Sequence, residues 1–158
     1  DNGASGFQPM STHLIDDGGI QLLLEMDFSV VLHLVISTGA ELEMTMTGAA
    51  AILTALEGVE LPVVLWLNEK NGRSFLEQTG SEFEASPFYN EFKATIAGTI
   101  TIPVLPRASR SVFETMLQKK MVFSEVSAST ELHLIERKRA EQIQEQIMSA
   151  ISAGMEGV

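Results

Sequence analysis

Cysteine is absent from the 158 residues, which removes disulfide scaffolds, zinc ribbons, thiol nucleophiles and iron–sulfur clusters together. Lysine and arginine are absent from Asp1 to Glu69, a stretch that carries ten acids. The chain from Lys70 onward holds all ten bases and eleven acids, so the net charge of −11 sits mostly in the first half. Phosphate binding draws most of its affinity from a basic surface, so this balance argues against a nucleic-acid partner. Long hydrophobic runs are missing as well. No uncharged stretch, residues 28–40 and 44–56 included, reaches the roughly 18 residues of a membrane-spanning helix.

Motifs for common chemistry are missing too. The sequence has no G-x-S-x-G elbow, no G-x-x-x-x-G-K-[ST] loop and no G-x-G-x-x-G after a strand. Histidine occurs three times, at His13, His33 and His133, and none has the i, i+4 histidine partner of a zincin helix. Asp16-Asp17-Gly18-Gly19 lacks the spaced oxygen ligands of an EF-hand loop and reads as a turn. Glu25 and Asp27 read as solvated charges rather than an acid–base pair. No catalytic residue, metal ligand or cofactor-binding residue is assigned, and no cofactor is expected.

What is present is a 45% apolar chain, long enough for one well-filled core. Residues 1–12 read as a flexible polar tail and 13–158 as a single α+β domain. The strongest pattern is alternation: the even positions from Ile20 to Ile36 are all apolar, while the odd ones are mostly polar. Period two is the signature of a strand with one buried face. The alternation resumes at Ala40, Leu42, Met44 and Met46. Keeping even residues paired with even ones requires a three-residue hairpin loop, Ser37-Thr38-Gly39, which sets His33 opposite Glu43.

Further along, Gly48 to Glu57 reads as a short Ala-rich helix capped near Gly58, and Val59 to Leu67 as a strand that Pro62 moves to an edge. Asn71-Gly72 signals a hairpin into Arg73 to Leu76, and Ser86-Pro87 opens a helical turn. Phe92 to Val104 alternates as a strand with a bend at Gly98. Ser111 and Glu114 suggest a capping box for a helix ending near Lys119-Lys120, and Met121 to Val126 reads as a last strand. Thr130 to Ala153 is the longest helix.

The expected fold is therefore α+β: an antiparallel sheet of about five to seven strands packed by helices, with a long C-terminal amphipathic helix. That outline resembles helix-grip ligand binders and small acidic secretion chaperones, and no motif carries either resemblance to a family assignment. Leu132, Ile135, Ile143, Ile147 and Ile151 form a candidate interface on the last helix. Met26, Phe28, Leu32, Met44 and Met46 form a candidate apolar pocket on the inner sheet face. The first functional reading is a non-enzymatic protein-binding or assembly subunit, a homo-oligomer that uses its sheet edges and last helix. The alternative is a carrier of a small apolar ligand between sheet and last helix. An enzyme ranks last.

Overall fold

The computed structural model describes residues 12–69, 72–126 and 128–156. After a π-helical turn at Thr12–Asp16 come α1 (Gly19–Glu25), β1 (Leu32–Ser37), α2 (Leu42–Ala55) and β2 (Val63–Asn68). There follow α3 (Phe75–Thr79), a 3₁₀ turn at Phe83–Ala85, α4 (Pro87–Phe92), β3 (Ile96–Ile102), α5 (Arg107–Gln118), α6 (Phe123–Val126) and α7 (Leu134–Gly154). The three strands form one sheet in the order β1-β2-β3, and both pairings are parallel. The antiparallel sheet of five to seven strands is thereby overturned.

The correction has a physical reason. Leu42, Met46, Ala49, Leu53 and Leu56 recur at intervals of four, three, four and three, the stripe of a helix. Leu42 and Met46 fit period two equally well, so the alternation ran on across a boundary. In the structure Leu42, Ala49, Leu53 and Leu56 are buried, whereas Met44, which only the strand reading places inside, stands 66% exposed. The same holds at the start of the run. Ile20 is buried and Leu24 packs on the core as one side of α1, while Leu22 faces solvent. True alternation is confined to β1, with Leu34 and Ile36 buried and His33 and Val35 exposed.

Ser37-Thr38-Gly39 is consequently a strand-to-helix turn, not a hairpin. Gly39 does adopt the left-handed conformation, with φ of 93°. His33 does not face Glu43, which lies in the first turn of α2. Pro62 does not mark an edge, because it precedes the central strand; its carbonyl accepts the Leu32 N–H. Asn71 lies outside the described residues, and the segment after Gly72 enters α3 instead of a strand. Ser111 lies inside α5, which begins at Arg107, and Met121 to Val126 contains the short helix α6. The tail assigned to residues 1–12 lies outside the described residues except for Thr12.

Several readings stand. Ser86 accepts the Tyr89 N–H at the head of α4, and α5 ends at Lys119. The register between β2 and β3 slips at Ala97, one residue before Gly98, where a bend was expected. The long last helix is present, with the Glu136 carboxylate accepting the His133 N–H at its start.

Cross-strand partners in this register share a face. Leu34, Leu65 and Thr99 lie on one side, while Val35, Trp66 and Ile100 lie on the other. The first side is the main core: Leu34, Ile36, Val63, Leu65 and Leu67 meet Ile52, Leu53 and Leu56 of α2 and the ring cluster of Phe75, Phe83 and Phe88. Each fully buried Leu or Ile contributes about 1.5–3 kcal/mol there. A second cluster of Val112, Met116, Val126, Leu132 and Ala140 joins α5, α6 and α7. Helix α7 closes the other side over β3, with Gly154 against the Thr99 carbonyl and the Ile100 side chain.

Candidate functional site: the open side of β1

Helices cover both faces of an all-parallel sheet as a rule, because its strands are apolar on both sides. Here β2 obeys: Val63, Val64 and Leu65 are all fully buried. On the α7 side, however, cover stops at β2. His33 pairs in register with Val64 and Val35 with Trp66, yet His33 is exposed and Val35 is 53% exposed. The indole Nε1 of the half-buried Trp66 donates to His33 Nδ1 at 2.8 Å, with the two rings tilted by 55°. This pair fixes the imidazole as an acceptor and forms the rim of the uncovered area. Val31, Phe28, Met26 and Leu22 on the approach to β1 are exposed as well.

Among the described residues no strand pairs with the outer edge of β1 beside this face. The N–H groups of Leu32 and Thr38 donate to the carbonyls of Pro62 and Asn68. In a parallel ladder the even residues of β1 therefore turn toward β2, and His33, Val35 and Ser37 present their peptide groups to the other side. Ser37 is already satisfied, since its N–H donates to Thr45 Oγ1 at 3.1 Å and that hydroxyl lies 3.4 Å from its carbonyl. What remains is a short template at His33 and Val35, flanked by apolar side chains.

The carboxyl ends of the strands, where open α/β sheets usually hold ligands, are largely tied up internally. The buried Thr38 hydroxyl donates to the Arg73 carbonyl at 2.8 Å, and Gln78 makes two hydrogen bonds to the backbone of Gly39. The Glu69 carboxylate accepts the Phe75 N–H at 2.6 Å. Burial raises the Glu69 pKa above the ordinary carboxylate value; the Phe75 hydrogen bond opposes that shift, and Glu77 and Glu82 add to it. Beside these loops the Arg110 guanidinium lies against Gly72 and donates to the Leu105 carbonyl, while its buried Nε has no acceptor among the described residues.

The structure scatters the residues singled out in the sequence. Leu132 and Ile143 are buried within the chain's own fold, Ile147 and Ile151 are half-buried, and Ile135 is exposed. Of the apolar-pocket set, Leu32 and Met46 pack against the main core, while Met26, Phe28 and Met44 face solvent. A groove of about 760 Å³ does run between β3 and the last helix, but Gln142, Gln146, Ser149, Thr101 and Ser109 make much of its lining polar. None of the five pocket residues lines it. Among the described residues no group of three or more His, Asp or Glu side chains is placed to hold a metal ion. No helix of the described residues is long and apolar enough to cross a membrane.

Sequence reasoning missed Val35 and Trp66. A signal for them was present: residues 63–67 are apolar without interruption, the mark of a strand buried on both faces of a parallel sheet.

With this geometry in hand, comparison with known proteins gives one name. The chain is similar to Protein TraL of Escherichia coli. Two forms of it are each 32% identical to the chain, over 154 and 152 residues. The matches cover 97% and 96% of the chain, but only 63% and 62% of the two TraL proteins. The chain thus spans less than two thirds of the curated relatives it matches. No family model matches, and no solved structure does.

Proposed function

We propose that the chain is a non-enzymatic assembly module that engages polypeptide on the open side of β1. One observation carries this reading: in an all-parallel sheet, β1 keeps an edge that no strand of the described residues pairs, beside an apolar face that α7 leaves uncovered. An exposed edge flanked by Val31 and Val35 is an adhesive surface that folded proteins ordinarily blunt with charge, proline or a covering element. The similarity to TraL supports the same reading, because there the matching region is one part of a larger polypeptide. Self-association through the last helix draws less support, since Ile143 already serves the chain's own packing and Leu132 precedes the helix, which starts at Leu134.

A photoreactive phenylalanine analogue placed at Val35 in cells that make the protein tests the proposal. Protein adducts are expected from position 35 and not from Met44, which is the more exposed of the two and lies on α2. Adducts at the same level from both positions would reject it, as would the absence of both adducts and cross-links within the chain from position 35.

A second reading rests on Arg110. Its unpaired buried Nε, at the loops that follow β2 and β3, suits a small anion. A rise in melting temperature with pyrophosphate that is lost in Arg110→Gln would support this role, and no rise in the parent protein would remove it.

A further inference from the structure

We infer that the open edge of β1 takes a fourth, parallel strand, accompanied by a helix that covers His33 and Val35. The occupant is the part of a TraL-like polypeptide that lies outside the match to this chain. The inference rests on the reading of this side as a polypeptide-binding surface and names what binds there. Three observations select this occupant. Every existing pairing in the sheet is parallel, and purely parallel sheets are favoured over mixed ones built at random. The template at His33 and Val35 has both an open edge and an open face, so a strand alone would leave Val35 and the Trp66–His33 pair wet. A parallel neighbour brings its own cover, because its connection is usually a helix. Finally, more than a third of each TraL protein lies outside the match, ample for a unit of strand and helix, which takes roughly 30 residues.

Handedness adds a constraint. The crossover from β1 through α2 to β2 places α2 on the main-core side. A right-handed crossover advancing in the same direction would place its helix on that side too, where α2 already lies. A helix over His33 and Val35 therefore belongs to a crossover running the opposite way. The sheet reverses its winding sense at β1.

Residue-resolved hydrogen exchange, run on this chain and on full-length E. coli TraL, tests the inference. In this chain alone the amides of His33 and Val35 should exchange freely while those of Leu34 and Ile36 are protected. In TraL the amides aligned with His33 and Val35 should be slowed at least about tenfold, as for a paired strand. Free exchange at those positions in TraL would overturn the inference. Concentration-dependent protection of His33 and Val35 in this chain alone would overturn it as well, by assigning the edge to a second copy. That second outcome leaves the protein-binding reading intact, whereas the absence of both protein adducts and cross-links within the chain from position 35 removes both.

Discussion

Glu69 is one residue past β2, and its carboxylate holds the first N–H of α3. Burial is the main cause of its raised pKa. Between the ordinary value of 4.5 and the folded value, the native state keeps a proton that the unfolded chain has lost. Stability from this group is therefore fully present below the ordinary value and declines as pH rises through the folded one. Glu69→Gln keeps an acceptor for Phe75 and removes the titration, so its melting temperature should fall less than the parent's as pH rises from 4.5 toward neutrality. Glu69→Ala should instead lose about 1–3 kcal/mol, because it strands a buried N–H. Equal pH slopes in Glu69→Gln and the parent would show that the carboxyl is not desolvated. Nothing in the sequence distinguishes Glu69 from the other nine acids before Lys70. Its burial depends on α3, which a hairpin reading of Asn71-Gly72 displaces. His33 is the complementary case: its exposure on a strand was legible from alternation, but its partner depended on strand direction, and Trp66 replaced Glu43.

Elements were legible where one periodicity held alone. The last helix, β3 and the turn at Ser86-Pro87 emerged from pattern and capping chemistry, because no competing period fits them. The segment from Ile20 to Leu56 failed because positions 42 and 46 satisfy helix and strand templates at once. A local hairpin was then preferred to a crossover, although the Ala-rich stretch that follows is itself the crossover helix. Pairing partners depend on contacts between residues about thirty apart, which no local window reports. The end of α7 gives a test at this scale. A Cβ on Gly154 would lie 2.4 Å from the Thr99 carbonyl oxygen and 2.5 Å from Ile100 Cγ1. The strand backbone cannot yield, so Gly154→Ala must lift the last turn of α7 from β3. We expect a loss of about 1–3 kcal/mol, typical of overpacking, against a change within about 0.5 kcal/mol for the exposed Ser152→Ala control. Equal melting temperatures for the two variants would mean that α7 does not close on β3 as described.

At the scale of the whole molecule, the sheet is finished on one face and half finished on the other. That asymmetry predicts opposite responses at neighbouring positions on one face. Val64 and Val35 both point to the α7 side, on adjacent strands spaced about 4.8 Å apart. Val64 is 0% exposed and Val35 is 53% exposed. Lysine at Val64 would place an ammonium under the helix layer without a partner, at a cost of several kcal/mol against a typical total stability of about 5–15 kcal/mol. Lysine at Val35 meets water, and an edge charge is a normal feature of soluble sheets. Val64→Lys should therefore unfold the chain or cut its denaturation midpoint sharply, while Val35→Lys should shift stability by no more than about 0.5 kcal/mol. Chemical denaturation followed by far-UV circular dichroism reads both. A native-like Val64→Lys would show that the helix layer does not reach β2, and a destabilised Val35→Lys would show that β1 is already covered. In either case the open side would not be where the burial pattern places it.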